Sequence, residues 1–99
     1  MAGRKAGITF DWDQWNVQKN ELKHGVSRLE AESAFFDERY RLFADEKHST
    51  TGEPWYILFG RSIENRVLMI AFTMRGRRVR INTARPASRK ERRIYEAQS

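Results

Sequence analysis

The segment Arg66–Met74 (RVLMIAFTM) is apolar at both parities of a period-two chain, with β-branched and aromatic residues throughout. A run of this length and composition reads as a strand with no solvent face, which places it centrally in a sheet. Its neighbours follow the same period. Arg75-Gly76 is the tip of a hairpin, and Arg77–Ala84 returns with Val79, Ile81 and Thr83 on one face and Arg78, Arg80 and Asn82 on the other. Pro86 cannot continue a central strand. Upstream, Arg39–Ala44 (RYRLFA) and Trp55–Phe59 (WYILF) read as two further strands. The polar stretch Asp45–Pro54, with Gly and Pro, forms the loop between them, and Gly60–Asn65 forms a turn.

The first third of the chain is punctuated as helices. Ile8–Trp12 is a short strand with Ile8, Phe10 and Trp12 on one face. Asp13 is an N-cap for a helix Gln14–His24, and Gly25 stands where a C′ glycine belongs. Ser27-Arg28-Leu29-Glu30 is a capping box that opens a second helix to about Phe36, with Leu29, Ala31, Ala34 and Phe35 as its apolar stripe. Ser88 and Glu91 make a second box, opening a last helix Arg89–Ala97. The order is β-α-α-β-β-β-β-α, an α+β domain with helices packed on an antiparallel sheet.

Ninety-nine residues make one domain, 1–99, with a weakly ordered basic segment 1–7 ahead of a folded part 8–97. A chain of this size buries only about 60–65% of its unfolded surface, so its core is thin. Without Cys, disulfides and thiolate metal sites are excluded. His24 and His48 alone would need carboxylates at unhelpful spacings to hold zinc, so neither metal nor cofactor is expected. No run approaches the ~20 apolar residues of a membrane span, and the N-terminus lacks the apolar core of a signal peptide. The expected setting is the cytoplasm.

Charge is concentrated at one end. Nine of the nineteen Lys and Arg residues lie in Arg75–Arg93 beside a single acid, Glu91, for a window charge of +8. The other 80 residues hold ten bases and twelve acids, or −2, and the two sum to +6. Such asymmetry points to a polyanionic partner, either nucleic acid or an acidic protein segment. Arg dominates the window, and its planar donor fork suits phosphate or carboxylate.

Arg78 and Arg80 share a strand face, Arg85 ends the same strand, and Arg66 opens its hairpin partner near that end. Together they could surround one phosphate, as a phosphoryl-transfer site requires, or each could pair with an acid of the first half. Lys23 and His24 close the first helix, where cations complement the helix dipole. His24 is also a plausible general acid or base. His48 lies in the polar loop and reads as solvated. Glu53, between that loop and the next strand, is the best-positioned carboxylate base. Trp12 and Trp55 read as core in preference to base-stacking platforms.

Taken together, Phe10-Asp11-Trp12-Asp13, Asn20-Glu21-Leu22-Lys23-His24-Gly25-Val26-Ser27, Glu30-Ala31, Phe35 and Asp37 resemble the start of BrnT toxins. Asp45, His48-Ser49, Gly52-Glu53, Gly60-Arg61-Ser62, Arg66-Val67-Leu68 and the ending Arg80–Arg92 resemble the rest, so the likeness spans about Ile8–Glu96. Trp15 and Val17 depart from it, at positions outside the motifs. The resemblance implies a RelE-like fold and a type II toxin, a ribonuclease that inhibits translation, needs no metal and is neutralised by a BrnA antitoxin. It implies Arg66, Arg80 and Arg85 as phosphate ligands, Glu53 or His24 as base or acid, and Lys23 as an electrostatic aid. Arg77, Arg78, Arg89 and Lys90 would track the RNA backbone. The expected assembly is a 2:2 heterotetramer that binds operator DNA through the antitoxin. The rival expectation is a basic module that binds nucleic acid or antitoxin without catalysis, and a third is a degenerate toxin that keeps only antitoxin binding.

Overall fold

The structure, a computed structural model, describes residues 8–50 and 52–97. The basic segment 1–7 lies outside the described residues. Helix α1 (Gln14–His24) starts where Asp13 Oδ1 accepts the Trp15 N–H at 2.8 Å. It stops at Gly25, whose φ of +67° is the left-handed conformation that a glycine adopts without a Cβ clash. Gly25 N donates to Glu21 O and Val26 N to Asn20 O, which closes the last turn.

Helix α2 (Arg28–Ser33) is shorter than the sequence suggests and tightens into a 3₁₀ turn, Ala34–Phe36. Ser27 Oγ accepts from Glu30 N, but the Glu30 carboxylate does not return to Ser27, so only half of the expected capping box forms. The carboxylate is instead drawn to Arg66 and Ser62, because a bidentate guanidinium outcompetes a single amide. Leu29, expected in the stripe, is 71% exposed, and Val26, Ala31, Ala34 and Phe35 form the buried face without it.

Five strands follow the order β1-β5-β4-β3-β2: β1 (Thr9–Asp11), β2 (Arg41–Ala44), β3 (Trp55–Arg61), β4 (Val67–Arg75) and β5 (Arg78–Pro86). Among the described residues, all strand pairings are antiparallel except one. β1 runs parallel to β5, which corrects the expectation of a wholly antiparallel sheet. β4 is central and covered on both faces. Leu68, Ile70 and Phe72 pack with Val26, Ala31 and Phe35 on the α1–α2 face. Val67 and Met69 pack with Phe59, Ala87 and Tyr95 on the other, beneath α3 (Arg89–Glu96). Each fully buried Leu or Ile here is worth about 1.5–3 kcal/mol relative to exposure. Among the described residues, no helix is long and apolar enough to cross a membrane.

A register shift in β5 decides which side chains share a face. Phe72 lies opposite Ile81 but Ala71 lies opposite Thr83, so Asn82 is an extra residue, a β-bulge. The bulge reverses the parity of β5. Val79, Ile81 and Ala84 enter the helix-side core, and Thr83 turns to the α3 side, contrary to the regular alternation expected from sequence. β1 pairs with only Arg78–Arg80, and α1 continues along the remaining edge. There Asn20, 1% exposed, donates to Asn82 O at 3.5 Å and accepts from Ala84 N at 3.2 Å, taking the place of a strand neighbour. This short reach of β1 also explains how Pro86 ends a strand that is otherwise internal.

Candidate active site

The α3-side face of the sheet carries a polar row to which four strands contribute one residue each. Trp55 of β3 lies opposite Thr73 of β4, Thr73 opposite Arg80 of β5, and Arg80 opposite Asp11 of β1. Trp55, Thr73 and Arg80, with Asn16, Glu53, Arg75 and Asn82, line a cavity of ≈ 200 Å³. Two atoms in this row are buried and lack a hydrogen-bond partner, Thr73 Oγ1 and Arg80 Nε. Asp11 Oδ2 sits 3.7 Å from Arg80 Nε, close enough to attract but too far to bond. Buried polar groups are rarely left unpaired, because each costs about 1–3 kcal/mol. Glu53 closes the cavity, held by Arg75 Nη2 at 3.3 Å. Glu53 and Arg80 were both expected from the sequence, and they share this cavity.

A second cavity, ≈ 400 Å³, adjoins the first and shares Trp55 and Asn82 with it. Ile57, Met69 and Ala71 form its floor, and Thr83, Asp45 and His48 complete the lining. His48 Nδ1 lies 2.8 Å from Asp45 Oδ2, an ion pair whenever the ring is protonated. The arrangement leaves Nε2 for a ligand and gives the ring a fixed orientation. A third cavity, ≈ 340 Å³, opens on the helix side of the sheet among Phe35, Leu42, Leu58 and Phe72 and holds neither a carboxylate nor a cation. Among the described residues, no three His, Cys, Asp or Glu side chains come together as a metal-ligand group.

The other expected residues are distributed differently. Arg66 is bound to Glu30 through Nε and Nη2, both at 2.7 Å, and to Gly25 O at 2.8 Å, so it joins β4 to the α1–α2 corner. The expectation that Arg66, Arg80 and Arg85 surround one phosphate fails on this geometry, because Arg66 lines a separate cavity with Gly25, Ser27, Glu30 and Glu64. Its ion pair holds the Glu30 carboxyl below the usual carboxylate range, with Ser62 assisting against burial. Arg85 is on the same face as Arg80 but two rows on, opposite Met69, where Glu91 engages both its terminal nitrogens at 2.9 and 2.8 Å. Burial pushes the Glu91 carboxyl up, but the bonds from Arg85 and the Ser88 backbone outweigh it and the net shift is downward.

His24 and Glu53 do not share a cavity. His24 is half-buried at the end of α1, and burial, with Lys23, Arg85 and Lys19 nearby, lowers its pKa from the ordinary imidazole value. Lys23 is exposed beside it. Arg77 and Arg78 are exposed at the β4–β5 tip, and Arg89 and Lys90 in the first turn of α3. Sequence reasoning missed Thr73, Asn82 and the Asp45–His48 pair, and it assigned Trp55 to the core although Trp55 lines both cavities. Two signals pointed to Thr73 and to the Asp45–His48 pair, the lone hydroxyl of Thr73 inside an apolar strand and the three-residue spacing of Asp45 and His48.

Residues 12–91 match a family model described as ribonuclease toxin, BrnT, of type II toxin-antitoxin system. The chain belongs to the BrnT family. The matched range runs from Trp12, just past β1, through β5 to the Glu91 cap of α3. In fold, this BrnT chain is similar to the crystal structure of the Brucella abortus ribonuclease toxin BrnT, at 20% identity and a TM-score of 0.61. That likeness covers 83% of this chain and 99% of the other. No curated protein matches the chain. As a BrnT member it is a ribonuclease toxin of a type II toxin–antitoxin system, with RNA as substrate and an antitoxin as partner.

Proposed function

We propose that this BrnT toxin cleaves RNA without a metal ion, and that the cavity of Glu53, Thr73 and Arg80 holds the scissile phosphate. The observation that carries the reading is the pair of buried, unbonded donors, Thr73 Oγ1 and Arg80 Nε, opposite each other in the β4–β5 ladder and lining one cavity with a carboxylate. A phosphate oxygen would satisfy both. Donors fixed in advance where charge develops are the largest source of catalysis in such reactions.

In this mechanism the Glu53 carboxylate takes the proton of the ribose 2′-OH. The 2′-oxygen attacks phosphorus, Arg80 and Thr73 stabilise the added charge, and the bond from phosphorus to the 5′-oxygen breaks. Protonated His48, oriented by Asp45, gives its proton to the leaving 5′-oxygen. The products are a 2′,3′-cyclic phosphate and a 5′-hydroxyl. His48 thus takes the acid role that the sequence offered to His24. His24 and Lys23 lie beyond the cavity and bind flanking phosphates in this scheme, while Arg85, engaged by Glu91 through both terminal nitrogens, serves to hold α3 against β5. Arg77 and Arg78 at one end, and Arg89 and Lys90 at the other, guide the backbone.

The same reading takes residues 8–97 as one toxin domain of RelE-like architecture that acts in the cytoplasm, where its RNA substrate is. Its partner is a BrnA-like antitoxin that forms a 2:2 complex and binds operator DNA. The test is cleavage of RNA by purified toxin in EDTA, with product ends identified by mass. Thr73→Val, Arg80→Ala and Glu53→Gln should each lower the rate by about two to three orders of magnitude while leaving the fold intact. A 5′-phosphate product, or retained activity in all three variants, rejects the mechanism.

A further inference from the structure

The larger cavity beside the phosphate site has the attributes of a base pocket. Its floor of Ile57, Met69 and Ala71 is apolar, one wall is the indole of Trp55, and its polar lining is limited to Asp45, His48, Asn82 and Thr83. Cavities that hold a flat ligand combine such a floor with a few placed polar groups that fix its orientation. Trp55 belongs to both cavities, so a nucleotide whose phosphate meets Arg80 would bring its base against that indole. An aromatic platform next to a cationic row is the usual means of holding single-stranded RNA.

We propose that this cavity binds the base of the nucleotide on the leaving side of the scissile phosphate, and that Asn82 and Thr83 make it select adenine. The inference rests on the catalytic reading for its direction. His48 lines this cavity, and the 5′-oxygen it protonates belongs to the nucleoside seated there. The choice of base follows from the two polar side chains that β5 contributes. A carboxamide presents a donor and an acceptor side by side, which pairs with the amino group and ring nitrogen of adenine, while a threonine hydroxyl adapts to either role. Asn82 stands at the bulge, where the backbone is tied down by Asn20, so its side chain is carried by a fixed main chain. Ala71 supplies the room, since any longer side chain at that point of β4 would fill the floor.

The experiment is calorimetric titration of the purified toxin with the 5′-monophosphates of adenosine, guanosine, cytidine and uridine, and with inorganic phosphate. The expected result is that the adenosine nucleotide binds at least tenfold tighter than either pyrimidine nucleotide. Asn82→Ala should bring the four within about threefold of one another, with Thr83→Val acting in the same direction. Ala71→Leu should weaken all four, while inorganic phosphate binds the Ala71→Leu and Thr83→Val variants, whose sites lie outside the phosphate cavity, as it binds the parent. Equal binding of the four nucleotides by the parent, absence of nucleotide binding, or a preference that survives both Asn82→Ala and Thr83→Val overturns the proposal. If Ala71→Leu fails to fold, the isosteric Thr83→Val and the Asn82→Ala variant still decide the matter. Failure of the catalytic reading would look different, with base preference intact but cleavage unaffected by Glu53→Gln.

Discussion

Two arginines that look alike in sequence have opposite assignments, set by what each one touches. Arg66 is saturated by the buried carboxylate of Glu30, whereas Arg80 keeps an unbonded Nε beside the cavity. Arg66→Met should therefore cost about 3 kcal/mol of stability, because it strands a carboxylate whose side chain is only 4% exposed. Arg80→Met should cost little stability and most of the activity, and urea unfolding alongside RNA cleavage separates the two. The sign of the pH effect follows from Glu30. Its folded pKa is depressed by Arg66, so the pair stabilises the parent above the ordinary Glu value of 4.5 and that contribution is lost as pH falls below it. Asp37 and Glu91 shift in the same direction and add to the loss in acid. In Arg66→Met the burial of Glu30 is opposed only by the Ser62 hydrogen bond, so its pKa rises relative to the parent and the penalty of the substitution should shrink on acidification. Melting temperatures of parent and variant from neutral pH to below 4.5 check this.

Among the elements, those bounded by local chemistry were legible. The residues of α1, from the Asp13 cap to Gly25, and the Ser88–Glu91 box of α3 could be read directly, because each depends on groups within a few positions. β2 begins at Arg41, two residues later than its pattern suggests, because the Asp37 side chain and backbone bond the amides of Arg39 and Tyr40 into a turn. The bulge at Asn82 was not legible, since a period-two strand gives no sign of an extra residue until its partners are known. Asn20→Ala should cost about 1–3 kcal/mol by leaving Ala84 N unpaired. It should also reduce cleavage, although Asn20 lies outside the cavity lining, since the bulge is what keeps Arg80 and Thr83 on one face. Gly60 reports another close approach. A Cβ there would sit 2.5 Å from the Ala34 carbonyl oxygen, so Gly60→Ala should destabilise by about 1–3 kcal/mol by forcing β3 off the 3₁₀ turn. Thermal unfolding of both variants measures these costs.

On the scale of the whole molecule, the cationic window is spread from the β4–β5 tip to the first turn of α3. Arg77 and Arg78 stand at the hairpin tip, Arg85 lies two rows away from Arg80, and Arg89 and Lys90 extend the line into α3. Arg89→Ala with Lys90→Ala should weaken RNA binding uniformly across sequences. It should also lower the slope of log affinity against log salt by about 0.7 for each phosphate that is no longer neutralised. Fluorescence titrations at a series of salt concentrations test this, and an unchanged slope would place these two residues off the RNA path. An acidic antitoxin surface covering these residues would associate faster at low salt, which stopped-flow mixing would read.

Periodicity, caps and turn residues act within a few positions, so the chain by itself determined its helices, its strands, the central place of β4 and the charge of its C-terminal third. The family motifs were equally linear and could be read before any coordinates. What only the tertiary structure decided was which chemically similar groups remain free to meet a substrate. Glu30 and Arg66 are 36 residues apart, and their union removes an arginine that the sequence offered to the substrate. Trp55, Thr73, Arg80 and Asp11 come from four strands and meet only through the register of the sheet. Strand register and the parity shift at Asn82 depend on pairing energies summed over distant segments, and no local pattern carries that information.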